Sequence, residues 1–168
     1  MSRWRQARAI ALLPGTVTIV IPALILLLGE GPEFGWGLDT PLAVLVIAAG
    51  AALIAGGFSL WLWTVRLFAQ IGKGTLAPWD PTKQLVAEGP YRHVRNPMIA
   101  AVTAVLLGEA AVFGSVGIAI EAAIFVTVNH VWFVLGEEPG LERRFGEEYR
   151  EYRREVPRWI PRRSAWDG

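Results

Sequence analysis

The residues richest in chemistry lie in two short stretches. Gly89-Pro90-Tyr91-Arg92-His93-Val94-Arg95-Asn96-Pro97 gathers two arginines, a histidine, a tyrosine and an asparagine directly before an apolar run. Guanidinium donors and the free N–H groups of a helix start favour an anion. The stretch therefore reads as an anion-binding loop or, more plainly, as a basic flank with a turn. The second stretch is Asn129-His130 inside a late apolar run, with Glu137-Glu138 following at its end. At 3.6 residues per turn, His130, Glu137 and Glu138 fall near one helical face. Polar side chains within an apolar helix are costly unless paired or used, which makes this face a candidate site. Two more acids, Glu109 and Glu121, sit near the far ends of their apolar runs and read as structural. Should the two stretches meet, anion donors would face carboxylates, an arrangement suited to a zwitterionic or cationic small molecule that carries a carboxylate.

Composition narrows the chemistry further. The chain has no cysteine, which excludes disulfides, thiolate metal sites and a cysteine nucleophile. Its two histidines do not make a conventional zinc site, so no metal is expected. Arginines interleave with glutamates instead of forming a bare basic face, which argues against a nucleic-acid partner. Hydrophobic residues make up 53% of the 168, high for a soluble domain. The expected fold class is all-α, a polytopic membrane protein forming one domain over residues 1–168.

The elements that must carry these residues are apolar runs at 10–28, 41–68, 97–113 and 116–135. About 20 apolar residues suffice to span the hydrocarbon core as a helix. Arg3, Arg5 and Arg8 before the first run would also suit a signal peptide, but no small-x-small cleavage site follows it. Ala49-Gly50-Ala51-Ala52 and Gly56-Gly57 are small enough to let another helix approach closely. Only Gly114-Ser115 separates the last two runs, which predicts a tight helical hairpin. The third run is short for a full crossing and reads as tilted or half-inserted.

Charge orients the whole. With four crossings all 16 lysines and arginines fall on one side, because the loop after the first run holds Glu30, Glu33 and Asp39 and no basic residue. The positive-inside rule makes that side the cytoplasm of a cell-membrane protein with both termini inside. An odd number of crossings breaks the pattern. After the fourth run, Leu141, Phe145, Tyr149, Tyr152 and Val156 recur at helical steps, one apolar stripe among glutamates and arginines. This predicts an amphipathic helix that lies on the membrane or folds over a cytoplasmic site, ended by Pro157, with Trp159 at headgroup level.

Gly89 to Met98 resembles the signature of the integral membrane methyltransferases that include isoprenylcysteine carboxyl methyltransferases and phospholipid N-methyltransferases. Glu137-Glu138-Pro139, Leu141, Phe145-Gly146-Glu147-Glu148-Tyr149, Tyr152 and Val156-Pro157-Arg158-Trp159-Ile160-Pro161 resemble its second half. The likeness covers residues 74–162, with both motifs in order around a hydrophobic hairpin. It implies S-adenosylmethionine as cofactor, held on the cytoplasmic side within residues 89–162, and a lipophilic acceptor arriving from the bilayer. Carried over by position, Tyr91, Arg92, His93, Asn96, Pro97 and Met98 line the cofactor site from one side. His130, Glu137 and Glu138 line it from the other. Tyr149, Tyr152 and Arg153 or Arg154 close the site near the acceptor, an arginine orienting a carboxylate if the acceptor is one. An amine acceptor must lose a proton, which makes Glu138 or His130 the candidate base. Ile99 and Ala101 depart from the tyrosine and glycine usual at those positions, removing one phenol and adding one methyl. The competing readings are a methyltransferase for a small thiol or amine, and a non-catalytic four-helix scaffold or transporter subunit.

Overall fold

The computed structural model describes residues 14–29, 31–72 and 84–168. Residues 10–13 of the first apolar run, and Arg3, Arg5, Arg8, Glu30, Lys73 and Lys83, lie outside the described residues. Helix α1 covers Thr16–Leu28. It is followed by α2 (Thr40–Leu67), α3 (Pro97–Phe113), α4 (Val116–Trp132), α5 (Glu138–Phe145) and α6 (Glu147–Glu155), and the described residues contain no strand.

Prolines account for two departures from regular helix. Pro22 has no N–H for the carbonyl four residues back, and the turn before it, Thr16–Val20, is widened, with Thr18 Oγ1 donating to the Pro14 carbonyl at 2.8 Å. Pro139 acts likewise on the widened turn Phe133–Glu137, through which α4 runs on into α5. The helical path Val116–Phe145 therefore carries His130 and Glu138 on one continuous rod. At the other end of α4, Gly114 takes a left-handed conformation (φ +60) and Ser115 caps the helix by accepting from the Ile118 N–H at 3.3 Å. These two residues make the hairpin between α3 and α4.

Helices α2 and α3 touch backbone to backbone. A Cβ added at Gly50 would lie 2.7 Å from the Gly108 carbonyl oxygen, one at Gly108 would lie 2.6 Å from that of Gly50, and one at Gly57 would lie 2.6 Å from that of Ala101. Gly50, Gly57 and Thr64, spaced by seven, are the buried residues of α2. Such close approach is how helices associate where no hydrophobic force separates protein from lipid. On the other face of α3, Val102, Leu106 and Ala110 pack with Ile118 and Ala122 of α4, and Val17, Ile25 and Leu26 of α1 lie against them.

Outward faces are apolar. Leu27 and Leu28 of α1, Leu42 and Leu45 of α2, and Ile120, Ile124 and Val128 of α4 are all exposed. Thr40–Ile71 and Val116–Phe145 are long and apolar enough to cross a bilayer. A soluble monomer rarely exposes apolar surface so continuously, whereas lipid-facing helices do.

The tail differs from a single amphipathic helix. Gly146 (φ +56, ψ −124) breaks the stripe between α5 and α6, a conformation that glycine alone adopts readily. The stripe also turns inward: Tyr149, Tyr152 and Val156 pack on Leu85, Ala87, Leu141, Phe145 and Trp166.

Replacing Gly50 with leucine forces α2 and α3 apart and is expected to destabilise the protein in detergent by about 1–3 kcal/mol, the usual cost of overpacking. Gly56→Ala is the control, since nothing lies within 4 Å of a Cβ there. It is expected to leave the thermal midpoint unchanged or slightly raised, and thermal unfolding in one micelle type compares the two.

Candidate functional site

The site begins in the segment that leads into α3. Gly89 (φ +57) turns the chain beneath Trp63 and Leu67 of α2, and a short turn over Gly89–Arg92 follows. Tyr91 and Val94 point into the protein and are buried. Pro97 occupies the first turn of α3, where its missing N–H costs nothing, and Asn96 precedes it outside helical geometry. Arg92, His93 and Arg95 are thereby set along one short loop.

Glu138 ties this loop to the tail. Its side chain is 6% exposed, and Arg95 Nη1 donates to Oε1 at 2.8 Å. Arg158 grips the same carboxylate with both arms, Nε to Oε1 at 2.7 Å and Nη2 to Oε2 at 3.0 Å. Arg153 Nε stands 3.7 Å from Oε2. A charged fork of this kind is stronger and more directional than a neutral hydrogen bond. The hydrogen bond to Glu138 raises the affinity of the Arg158 guanidinium for its proton, so the fork stays charged. Arg95 Nη1 also reaches the Tyr149 hydroxyl at 3.4 Å, and the Tyr152 hydroxyl donates to the Tyr91 carbonyl at 2.7 Å. Burial pushes the phenols of Tyr91, Tyr149 and Tyr152 up, which keeps them protonated.

Beyond α6 the chain runs as a strap across the loop. The Arg95 N–H donates to the Pro157 carbonyl at 2.9 Å, the Arg162 N–H to the His93 carbonyl at 3.0 Å, and the Trp166 N–H to the Arg92 carbonyl at 3.0 Å. The His93 ring adds a bond between Nδ1 and the Arg162 carbonyl at 2.9 Å. Arg92 donates to the Trp166 carbonyl and pairs with Asp167. Farther along α4, the Trp159 indole N–H donates to His130 Nδ1 at 3.1 Å.

Loop, strap and apolar helices line an open cavity of about 520 Å³. Arg92, His93 and Val94 form one wall, Trp159, Pro161 and Ala165 another, and Leu60, Trp63 and Ala100 bring in α2 and α3. The volume lies in the range of small-molecule sites, about 300–1,000 Å³. Next to it, Asn96 Nδ2 and Arg95 Nε are buried donors without a partner among the described residues.

The residues marked out in sequence divide accordingly. Arg92, His93 and Pro97 line the cavity, and Tyr91, Asn96 and Met98 stand beside them in the chain. Glu138 is saturated by arginines, and Glu137 is half-buried next to it. His130 reaches the cavity through Trp159. Tyr149 and Tyr152 turn their hydroxyls inward, while Arg153 is 47% exposed and Arg154 is exposed outside the Glu138 cluster. Asn129 folds back on its own helix, its Nδ2 donating to the Phe125 carbonyl at 2.8 Å. Glu109 and Glu121 lie toward the hairpin tip, with buried oxygens that have no partner among the described residues. Sequence reasoning missed the pairing of Arg95 and Arg158 and the cavity walls at Leu60 and Trp63. The seven-residue spacing of Gly50, Gly57 and Thr64 is the signal that fixes which side of α2 turns to the site.

Apolar outward faces joined to a charged knot at one end define a helical membrane protein with a polar site where the apolar helices give out. The profile of the phospholipid methyltransferase family matches residues 45–148, more than half of the 168-residue chain, and the protein belongs to that family. No curated protein and no solved structure matches it. The family match takes in the loop, the hairpin and Glu138, and ends before Tyr149, so the strap lies beyond it.

Glu138→Gln removes the carboxylate that Arg95 and Arg158 share and leaves two partly buried cations facing each other. We expect a loss of about 3 kcal/mol in unfolding free energy, as when one member of a buried ion pair is deleted. Tyr152→Phe is expected to cost about 1 kcal/mol through its single lost hydrogen bond. Denaturation in mixed micelles measures both.

Proposed function

We propose that this protein transfers a methyl group from S-adenosylmethionine to a lipophilic acceptor at the cytoplasmic face of the cell membrane, the acceptor being first of all the amine of a phospholipid headgroup. The observation that carries the reading is the two-sided cavity, with Arg92 and His93 on one wall and Leu60, Trp63 and Ala100 of the apolar helices on another. Such a lining suits a polar cofactor and an amphiphile together. Membership of the phospholipid methyltransferase family supports the reaction class. The four crossings read from the sequence would put every basic residue on one side, which favours the cytoplasmic placement; two of them, Thr40–Ile71 and Val116–Phe145, have the length and apolarity to cross.

The residues present fit the cofactor. Arg92 and the unpartnered donors Asn96 Nδ2 and Arg95 Nε offer hydrogen bonds to a carboxylate and to ribose hydroxyls. Glu137 lies outside the lining, so its part is a negative field that favours an ammonium group and not a direct contact. Pro97 shapes the wall, with Tyr91 and Met98 supporting it from beside the lining, and His130 acts through Trp159. Glu138 fixes Arg95 and Arg158 in place, so its influence on the cofactor passes through them. Tyr149 and Tyr152 hold α6 over the loop, and Arg153 and Arg154 face the acceptor's headgroup. When bound, S-adenosylmethionine supplies an electrophilic methyl on a sulfonium. The chain's own contribution is to hold the two partners in line and to exclude water, which can lower a barrier by several kcal/mol.

Purified protein in detergent is expected to bind S-adenosylhomocysteine in calorimetry, with Arg92→Ala lowering affinity about tenfold through a lost charged hydrogen bond. With labelled S-adenosylmethionine, label should enter phosphatidylethanolamine in mixed micelles. Transfer to an isoprenylcysteine carboxylate instead would change the acceptor, and transfer only to small thiols or amines would remove the lipid. Failure to bind S-adenosylhomocysteine would leave a non-catalytic membrane protein.

A further inference from the structure

A headgroup amine is protonated near neutral pH and must lose a proton before it can attack. Building on the proposed methylation of an amine, we infer that His93 Nε2 is the base that takes this proton, and that the strap fixes the nitrogen in its basic form.

The lining of the cavity leaves few other acceptors. Glu137, Glu138 and His130 do not line it, and Arg92, which does, is a guanidinium with donors and no acceptor. Both oxygens of Glu138 are engaged by guanidinium groups. Among the described residues, His93 is the one lining side chain whose ring nitrogen can offer a lone pair to an acceptor's N–H.

Hydrogen bonding then selects its tautomer. A backbone carbonyl can only accept, so the 2.9 Å contact between His93 Nδ1 and the Arg162 carbonyl places the proton on Nδ1. In the neutral ring, Nε2 must carry the lone pair, and no hydrogen bond engages it among the described residues. His130 is set the opposite way. The Trp159 indole can only donate, so its 3.1 Å contact requires a bare His130 Nδ1 and puts the proton of the neutral ring on Nε2. One strap, through Arg162 and Trp159, thus holds the two histidines in opposite tautomers. His130 has its basic nitrogen occupied, and His93 has its own free.

The step balances without a further reactant. The acceptor ammonium gives one proton to His93 Nε2. The freed nitrogen pair forms the N–C bond to the methyl of the sulfonium donor, and the C–S bond breaks with its electron pair passing to sulfur, which leaves a neutral thioether. The imidazolium then releases its proton to water.

The chain contains only two histidines, so imidazole 15N spectra of the full-length protein in micelles are simple to read. The expected spectrum has one ring protonated at Nδ1 and one at Nε2, with the Nδ1–H pair absent in His93→Gln. Two rings in the same tautomer, or a His93 ring protonated at Nε2, overturns the inference without reference to activity. In the labelled-methyl assay, His93→Gln should bind S-adenosylhomocysteine as the parent does and lose about 100-fold in turnover on phosphatidylethanolamine, the scale of a lost general base. An aniline-headed lipid analogue, unprotonated at neutral pH, should restore that turnover. Undiminished turnover in His93→Gln sinks the base while leaving amine methylation intact. A parent protein that methylates no amine sinks the proposed function and the base with it, while the tautomer spectra still report the strap.

Discussion

A carboxylate withdrawn from water must be matched, and in this protein the matching of Glu138 decides where three distant segments lie. Its partners come from the loop before α3 and from the strap after α6, so the electrostatic demand of one side chain closes the polar end of the bundle. The two arginines contribute unequally. Arg95 reaches one oxygen, whereas the Arg158 fork engages both and fixes the plane of the carboxylate. Main-chain bonds from Arg95 to Pro157 and from Arg162 to His93 then extend the closure along the strap. The cavity is a by-product of that closure, since its walls are the loop, the strap and the helix faces between them.

The apolar half is held by a different force. Glycines at 50, 57 and 108 bring two backbones into contact, where dispersion over a wide area replaces the hydrophobic effect. That contact sets the rotation of α2 and so places Leu60 and Trp63 beside the loop. The two halves meet at Gly89, whose positive φ lets the chain pass under Trp63. Shape in the lipid-facing half and charge in the aqueous half therefore meet at one small volume.

Much of this was legible in the sequence. Run lengths, the Gly114-Ser115 break and Pro97 mark the helices, because each rests on a local rule of backbone chemistry. The motif residues Arg92, His93 and Pro97 pointed to one site, and they line one cavity. The Glu138–Arg158 pair was not legible, because eight arginines follow the fourth apolar run and no spacing rule selects one across the turns at Gly146 and Pro157. Trp159 read as an interfacial anchor, since nothing in its neighbours announces a bond to a histidine 29 residues away. The inward turn of the stripe was hidden for the same reason: its partners, Leu85, Ala87 and Trp166, are remote in sequence.

Sharing one acid between two bases has an evolutionary corollary. If Glu138 changes, Arg95 and Arg158 become like charges held close together, and replacing one of them still leaves the other without its partner. If Arg158 changes, Arg95 still satisfies one oxygen, so the damage is partial. Substitutions at these three positions are therefore epistatic and ordered: an arginine can be exchanged first and tolerated, whereas the acid can be lost only after both cations have gone. A lineage drifting through sequence space would leave this arrangement by one route and find it hard to re-enter.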